Sequence, residues 1–252
     1  MSYAAGNSFW ISAGPYSDMA MDYFHTAPDC ITVNELAITG EEFNHLSHVM
    51  RKQVGDRVVV VDGCGHAYES EITEVSKHTA RCSILACHEL IHESSIRLSI
   101  APALLKNPSR FDYLVEKATE LGVIRIVPLL TQRTIPGHGK RERWQKIALG
   151  AMKQSQRCVL PEVMEPRPFS EFLGSVSVGG LLLIAHESIR EPALRMIVDG
   201  HTSITVCIGP EGGFTDDEIS AATEAGFLPV TLGERRLRAE TAAVVAATTI
   251  LT

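Results

Sequence analysis

The chain has 252 residues, of which 45% are hydrophobic and 21% are charged, a composition typical of globular proteins with one large domain or two ordinary ones. No apolar run approaches the roughly 20 residues of a membrane-spanning helix, and the N-terminus lacks the basic start and apolar core of a secretory signal. These features disfavour a membrane protein and predict a cytoplasmic location.

The net charge of −7 is unevenly distributed along the chain. Residues 1–90 contain five Lys and Arg residues against twelve Asp and Glu residues, whereas residues 97–157 contain twelve basic and four acidic residues. Such a concentration of basic charge suits the phosphate backbone of a nucleic acid. Taken alone it is more typical of solvated helix faces, so charge by itself does not identify the partner.

The six cysteines are scattered, with neither a CxxC pair nor the density of a disulfide framework, which predicts reduced thiols. Among the ten histidines, two groups invite a metal hypothesis: Cys87 with His88 and His92, and His45 with His48. Neither group forms a complete ligand set, and we therefore expect no metal.

The first third of the chain is predicted to be rich in β-strands. A β-branched run at residues 57–61 is followed by a turn signal at 62–65, and strand-like segments follow at 68–75 and 79–87. This pattern predicts a compact β-domain, and a small barrel is one of the arrangements that it allows.

From about residue 96 onward, predicted strands alternate with predicted helices, which is typical of the α/β class with a mostly parallel sheet. Asn107 and Pro108 mark the start of one helix, and Gly122 marks its end. The final helix is small and apolar nearly all round, which predicts burial against the core or a partner subunit. The predicted strands are residues 97–101, 124–130, 181–185, 204–208 and 228–232, and the predicted helices are residues 109–121, 141–157 and 240–251.

Two glycine-containing loops follow the last two predicted strands. Residues 208–218 combine a strand end, a glycine-rich turn and a helix start, at which Thr215 and Glu218 have the spacing of a capping box. Gly233 opens the second loop. Because ligands of open α/β sheets bind outside the carboxyl ends of the strands, the two loops together predict a binding cleft. A single glycine-rich turn between a strand and a helix binds no ligand in about half of cases and is then only a tight connection.

Two nucleotide-binding motifs are missing from the sequence. There is no P-loop, because residues 137–140 are too short for one, and there is no GxGxxG motif after a strand. The sequence therefore lacks the motifs that would support binding of ATP or of a nicotinamide cofactor.

The two loops, IGPEGG at residues 208–213 and LGERRLRAETA at residues 232–242, resemble the signature of the RsmE family, small-subunit ribosomal RNA uridine N3-methyltransferases of the SPOUT superfamily. The resemblance extends from about residue 31 to the C-terminus. Two departures are an apparently extended segment at residues 1–30 and Arg236, where the family more often has an aliphatic residue. Upstream segments agree in order, at residues 45–51, 58–63, 116–123, 132–133 and 154–157.

The resemblance implies an architecture and a set of partners. Residues 1–90 are expected to form a PUA-like β-barrel that binds RNA, and residues 91–252 a SPOUT methyltransferase domain with a C-terminal trefoil knot. A homodimer is also implied. The expected cofactor is S-adenosyl-L-methionine, and the expected partner is small-subunit ribosomal RNA or the assembled small subunit, without membrane or metal.

The expected cofactor site consists of the two loops. Their backbone amides and carbonyls can pair with an adenine edge and ribose hydroxyls, while the leucine and isoleucine side chains form an apolar wall. We assign Glu211 to loop geometry or cofactor contact. The candidate cofactor-binding residues are Ile208, Gly209, Pro210, Glu211, Gly212, Gly213, Leu232, Gly233 and Leu237.

Two residues are candidates for catalysis. Methylation of uracil N3 requires loss of the imide proton, and Arg238 is the first candidate to stabilise the resulting anionic oxygen. Glu240 is expected to orient Arg238 or to accept a proton; its alternative is an ordinary acidic residue in the first turn of a helix. The candidate RNA-binding residues are Arg51, Lys106, Arg110, Arg133 and Arg157.

Two other functions stay open from the sequence. One is a SPOUT methyltransferase that acts on another RNA or on a ribose 2′-hydroxyl. The other is a non-catalytic RNA-binding protein that keeps the fold without turnover. Cofactor binding separates the second from the enzymes.

Overall fold

The computed structural model describes residues 22–134, 140–176 and 179–252, so most of the predicted N-terminal extension lies outside the described residues. The described chain divides into two compact units. The first contains the residues up to Glu93 together with Gln156–Val159, and the second contains Ser94–Ser155 and Leu160–Thr252. The short segment Gln156–Val159 therefore belongs to the first unit although it lies far along the sequence.

A five-stranded sheet forms the first unit. Its strands are β1 (Tyr23–His25), β2 (Glu35–Thr39), β3 (Arg57–Val61), β4 (His66–Val75) and β5 (Thr79–Glu89), in the spatial order β1-β3-β4-β5-β2. β1 runs parallel to β3, and the other pairs are antiparallel. The predicted strands of this region are confirmed, and β1 and β2 are additional. Helix α1 (Gly40–Asn44) continues into one π-helical turn, His45–Val49.

The two edge strands of this sheet approach each other. The Thr26 hydroxyl, just after β1, donates a 2.6 Å hydrogen bond to the carbonyl of Ala37 in β2. Phe24 of β1 and Ile38 of β2 are fully buried in the same core cluster. The sheet therefore curls around one apolar core in the manner of a small barrel.

A six-stranded parallel sheet forms the centre of the second unit, and its elements confirm the predicted α/β class. The strands of this unit are β6 (Arg97–Pro102), β7 (Arg125–Ile126), β8 (Leu129–Leu130), β9 (Glu162–Val163), β10 (Arg167–Pro168), β11 (Leu181–Ala185), β12 (Ser203–Ile208) and β13 (Leu228–Val230). The spatial order in the six-stranded sheet is β13-β11-β12-β6-β7-β9, and β8 and β10 form a separate parallel pair. The helices are α2 (Pro108–Leu121), α3 (Arg141–Gln154), α4 (Phe169–Ser175), α5 (Asp216–Glu224) and α6 (Ala239–Leu251).

Both faces of this sheet are buried. Ile204, Val206 and Ile208 of β12 belong to a core cluster that includes residues of α2, α3 and α6, whereas Cys207 belongs to a second cluster with residues of α4 and α5. Alternate residues of a strand point to opposite faces, so the two clusters lie on opposite sides of the sheet. Burial on both faces explains why the strands are apolar runs rather than alternating ones.

Helix ends follow the local signals of the sequence. The side chain of Asn107 accepts a 3.0 Å hydrogen bond from the backbone N–H of Ser109 at the start of α2, and Gly122 ends that helix with φ +107°. At the start of α5 the predicted capping box between Thr215 and Glu218 is present in both directions. Capping therefore fixes the direction in which the chain leaves the sheet edge.

Three predicted elements are wrong in extent, and the smallest difference is in the strand predicted at residues 228–232, which ends at Val230. The single strand at residues 124–130 is divided into β7 and β8, which pair in different sheets; Pro128 lies between them and has no N–H for a ladder. The helix predicted to reach residue 157 ends at Gln154, and Gln156 has φ +58°, a left-handed conformation that a helix does not continue through.

No helix of the described chain is long and apolar enough to cross a membrane. All six cysteines are unpaired, as predicted.

Candidate functional site

A cavity lies beyond the carboxyl ends of three neighbouring parallel strands. Ala185 of β11 is in register with Ile208 of β12 and Val230 of β13, so the three strands end at one level. The cavity has a volume of about 310 Å³. The residues that line it follow those strand ends: 185–187, 208–211, 213, 231–233, 235–239 and 242.

The structure brings the predicted cofactor residues together at this cavity. Both glycine loops contribute to the wall, and Gly212 alone of the predicted set is outside the lining. The predicted residues in the lining are Ile208, Gly209, Pro210, Glu211, Gly213, Leu232, Gly233 and Leu237.

The first glycine loop is a tight turn that requires its glycines. The N–H of Gly213 donates a 2.8 Å hydrogen bond to the carbonyl of Pro210, and Gly213 has φ +70°, which favours glycine. At Gly209, a Cβ atom would lie 3.1 Å from the ring of Phe214 and 3.2 Å from its backbone nitrogen. The loop therefore presents bare backbone to the cavity.

Side chains anchor this loop to two other segments. A carboxylate oxygen of Glu211 accepts a 3.1 Å hydrogen bond from the backbone N–H of Lys106. Glu218 is buried and accepts hydrogen bonds from the backbone N–H groups of Gln132 (2.8 Å) and Thr215 (2.9 Å). The geometry shows that Glu211 shapes the loop; whether it also contacts a cofactor stays a prediction.

The second glycine loop leads into α6 through Arg238. Arg238 occupies the N-cap position with extended backbone, and its carbonyl accepts a 2.8 Å hydrogen bond from the N–H of Ala242. Its side chain is exposed and lines the cavity, and no partner for its guanidinium is present in the described chain. A positive charge is therefore available at the cavity wall.

Arg236, on the same loop, pairs with Glu187. The Nε of Arg236 lies 3.3 Å from a carboxylate oxygen of Glu187, and both side chains line the cavity and are more than half exposed. This ion pair links the second glycine loop to the segment that follows β11. Glu187 and its neighbour His186 were missed by the sequence analysis, although they directly follow the predicted strand 181–185.

Glu240 points to a different neighbour from the one expected. Its Oε1 lies 3.6 Å from Nε of Arg110 in α2, and its buried Oε2 has no hydrogen-bond partner within the described residues. The predicted orientation of Arg238 by Glu240 is wrong, because residues two apart at a helix start do not face each other. Glu240 also lies outside the cavity lining.

The RNA-binding candidates have different surroundings. Arg51, in the first unit, is exposed and has φ +54°, and Lys106 is exposed at the end of the β6 to α2 loop. Arg110 is half-buried beside Glu240. Arg133 is exposed, but its Nη1 donates hydrogen bonds to the backbone carbonyls of the first glycine loop.

Arg157 is buried in an ion pair, so the prediction that it contacts RNA is wrong. It is only 1% exposed, and its Nη2 lies 2.6 Å from a carboxylate oxygen of Glu93 within the first unit. A guanidinium that is enclosed and already paired cannot contact an RNA phosphate. Its role is to neutralise the buried Glu93.

No activated thiol is present beside the cavity. Cys207 precedes Ile208 and is fully buried, and burial raises the pKa of its thiol well above the ordinary value. It is therefore protonated and unreactive at neutral pH. No group of three His, Cys, Asp or Glu side chains that could hold a metal ion occurs among residues 22–134, 140–176 and 179–252.

Comparisons with known proteins match most of the chain. A family model described as an RNA methyltransferase domain matches residues 92–251, and one described as an RNA methyltransferase PUA domain matches residues 38–85. The chain is 36% identical to ribosomal RNA small subunit methyltransferase E of Synechocystis sp., covering 87% of this chain and 74% of that protein. It is 32% identical to the protein of the same name from Bacillus subtilis, with coverage of 85% and 88%.

A solved structure has the same fold over nearly its whole length. The crystal structure of a ribosomal RNA small subunit methyltransferase E from Neisseria gonorrhoeae, bound to S-adenosyl methionine, superimposes with a TM-score of 0.82. The two sequences are 32% identical, and the match covers 90% of this chain and 95% of that one.

Proposed function

The chain belongs to the ribosomal RNA small subunit methyltransferase E family, and from this premise we propose that it transfers a methyl group from S-adenosylmethionine to N3 of a uridine in small-subunit ribosomal RNA. The observation that carries the proposal is the cavity at the sheet edge, which both glycine loops line. A relative of 32% identity with the same fold was solved bound to S-adenosyl methionine.

The cavity fits the proposed cofactor by size and by chemistry. Its volume of about 310 Å³ lies within the range of small-molecule sites. The backbone N–H groups of Leu232 and Leu237 have no acceptor in the part of the chain that the structure describes, so they can donate to an adenine edge or a ribose hydroxyl. Ile208 and the two leucine side chains supply apolar wall.

The reaction needs alignment and charge stabilisation more than a nucleophile from the protein. When bound, S-adenosylmethionine supplies an electrophilic methyl group on a sulfonium sulfur. In-line transfer requires the methyl carbon and the uracil N3 to be aligned about 3 to 3.5 Å apart, and the two glycine loops would supply this positioning on the cofactor side. Arg238 stabilises the negative charge that develops on the uracil oxygen as N3 loses its proton. Glu240 is kept as the proposed proton acceptor from the sequence alone; its carboxylate lies beside Arg110 and outside the cavity lining.

The first unit is proposed to bind RNA, with residues 1–90 as its PUA-like domain and residues 91–252 as the methyltransferase domain. The match to a PUA family model at residues 38–85 supports this assignment. Arg51, Lys106 and Arg110 are the proposed contacts to phosphate or to the target base. The cytoplasm stays the proposed location, in keeping with ribosomal RNA as the proposed substrate.

A homodimer and a knotted C-terminal segment are also proposed, both from the family resemblance. Helix α6 supports the first, because Val244 and Val245 stay half-buried while Ala243, Ala246 and Ala247 face the core. A second copy could cover the remaining apolar surface. Sedimentation equilibrium measures the mass in solution, and a monomer at micromolar concentration would contradict this proposal.

The cofactor proposal predicts thermal stabilisation. S-adenosylmethionine at 100 times its dissociation constant is expected to stabilise the native state by about 2.7 kcal/mol, which raises the melting temperature by roughly 5 °C or more. Differential scanning fluorimetry measures the shift, with ATP as the control nucleotide. No shift at saturating concentration would count against every enzymatic function.

The reaction proposal predicts a specific product. Small ribosomal subunits from cells that lack the gene are expected to gain N3-methyluridine when incubated with the protein and S-adenosylmethionine, as measured by nucleoside digestion and mass spectrometry. Appearance of a 2′-O-methylated nucleoside instead would support the related ribose methyltransferase. Unchanged nucleosides would support a non-catalytic RNA-binding protein.

The RNA proposal predicts a change in salt dependence. Arg51→Ala is expected to reduce the slope of log binding constant against log salt concentration by roughly 0.7 to 0.9, the value for one lost phosphate contact. Arg81→Ala is the control, because Arg81 is an exposed arginine of the same unit that already pairs with Glu74 at 3.7 Å. Equal slopes for wild type and Arg51→Ala would remove Arg51 from the RNA surface.

A further inference from the structure

The turn after β8 is held by hydrogen bonds and lies against the first glycine loop. The N–H of Thr131 donates a 3.0 Å hydrogen bond to the hydroxyl of Thr134, and the two hydroxyls are 2.8 Å apart. The N–H of Gln132 donates to buried Glu218 at the start of α5. Arg133 therefore projects from a turn that is fixed both internally and to the helix that follows the loop.

Arg133 spans the outer side of the glycine loop. Its Nη1 donates hydrogen bonds to the carbonyl oxygens of Gly212 and Phe214, the second at 3.3 Å. Its aliphatic stem covers Gly212, where a Cβ atom would lie 3.2 Å from Cδ and 3.5 Å from Cβ of Arg133. The absence of a side chain at Gly212 thus lets the arginine lie against the loop.

The two carbonyls that Arg133 holds flank the residue that forms the cavity wall. Gly213 lies between them, lines the cavity and has φ +70°. On the other side of the loop, Glu211 accepts a hydrogen bond from the N–H of Lys106. Arg133 and Glu211 thus both hold the loop. Of the two, only Arg133 bonds to the carbonyls on either side of Gly213, the residue with the left-handed backbone.

We propose that Arg133 is a positioning residue that holds the first glycine loop in its cofactor-binding shape, and that it is not a contact to RNA phosphate. The inference rests on the proposed function, because it takes the cavity as the cofactor site. A charged donor makes stronger hydrogen bonds to carbonyls than a neutral one. The planar guanidinium suits two acceptors at a fixed separation better than the point charge of lysine does.

The first test compares Arg133→Ala and Arg133→Lys with the wild type. Without cofactor, hydrogen exchange at the amides of residues 212–214 is expected to accelerate in Arg133→Ala, because the loop loses its brace. The dissociation constant of S-adenosylmethionine, measured by calorimetry, is expected to rise about tenfold in Arg133→Ala and less in Arg133→Lys. Arg125→Ala, which removes an exposed arginine paired with Glu162, is the matched control.

Two results would overturn the proposal. One is unchanged exchange and unchanged cofactor affinity in Arg133→Ala. The other is a decrease of roughly 0.7 to 0.9 in the salt slope of RNA binding, which is the signature of one lost phosphate contact. Failure of the wild type to bind S-adenosylmethionine would instead contradict the proposed function, while hydrogen exchange in the cofactor-free protein still tests the brace.

A second test perturbs the same contact from the loop side. Gly212 has no left-handed φ, so Gly212→Ala is compatible with the backbone, but the new Cβ would lie 3.2 Å from Cδ of Arg133, and the stem must shift by a few tenths of an ångström. We expect Gly212→Ala to weaken cofactor binding in the wild-type background and to have little further effect in Arg133→Ala, where the stem is gone. This coupling is measured by a double-mutant cycle. Additive effects of the two substitutions would contradict the proposal.

Discussion

Replacing Arg238 with alanine is expected to slow methyl transfer about 10²- to 10³-fold, the effect of removing one preorganised group that stabilises developing charge. The dissociation constant of S-adenosylmethionine is expected to change little, because Arg238 acts on the uracil oxygen. Arg238 is one of the residues that line the cavity, and its exposed side chain is unpaired within the described chain, so it is free to meet the substrate. Single-turnover kinetics with saturating cofactor measure the chemical step directly.

The matched control for Arg238→Ala is Arg236→Ala. Arg236 lies two residues earlier on the same loop and lines the same cavity, but it is 74% exposed and pairs with Glu187. Exposed ion pairs contribute little, so the methyl-transfer rate of this variant is expected to stay close to that of the wild type. Full activity in Arg238→Ala, or equal losses in both variants, would remove Arg238 from the catalytic role. Arg238→Lys keeps the positive charge but not the planar guanidinium. We therefore expect its methyl-transfer rate to lie between those of Arg238→Ala and the wild type.

The parts of the fold that the sequence predicted are those with local causes. β3 and β11 are apolar runs between turn signals, and the capping box at the start of α5 is a contact between residues three apart. The cavity could also be predicted, because parallel strands end at one edge and both glycine loops follow such ends. His186 and Glu187 were within reach of the same argument, since they follow β11.

The parts that the sequence did not predict depend on partners far along the chain. Glu93 and Arg157 are 64 residues apart, and nothing near Arg157 shows that its charge is buried rather than exposed. Arg133 meets Gly212 across 79 residues. Strand β2 carries a period-2 burial pattern, but it is short, and its pairing with β5 is not visible locally. A basic residue in sequence is thus a candidate for RNA contact only until its neighbours in space are known.

Replacing Arg157 with alanine is expected to destabilise the protein by about 3 to 5 kcal/mol, because it leaves a buried carboxylate without its counter-charge. The side chains of Arg157 and Glu93 are 2% and 5% exposed, and two nitrogens of the guanidinium bond to the carboxylate at distances down to 2.6 Å. The free energy of unfolding is measured by urea denaturation followed by circular dichroism. Arg81→Ala, which breaks an exposed pair with Glu74 in the same unit, is expected to cost less than about 1 kcal/mol.

A double substitution distinguishes loss of charge balance from loss of packing. Glu93 also accepts hydrogen bonds from the backbone N–H groups of Cys158 (3.1 Å) and Val159 (3.0 Å), which the amide oxygen of a glutamine can still accept, though less strongly than a carboxylate. Glu93→Gln combined with Arg157→Met removes both charges and keeps the volume and these two acceptor contacts. We expect this variant to recover more than half of the stability lost in Arg157→Ala, since replacing both partners of a buried ion pair is far less costly than removing one. Equal instability of the single and double variants would show that packing, rather than the unpaired carboxylate, determines the loss.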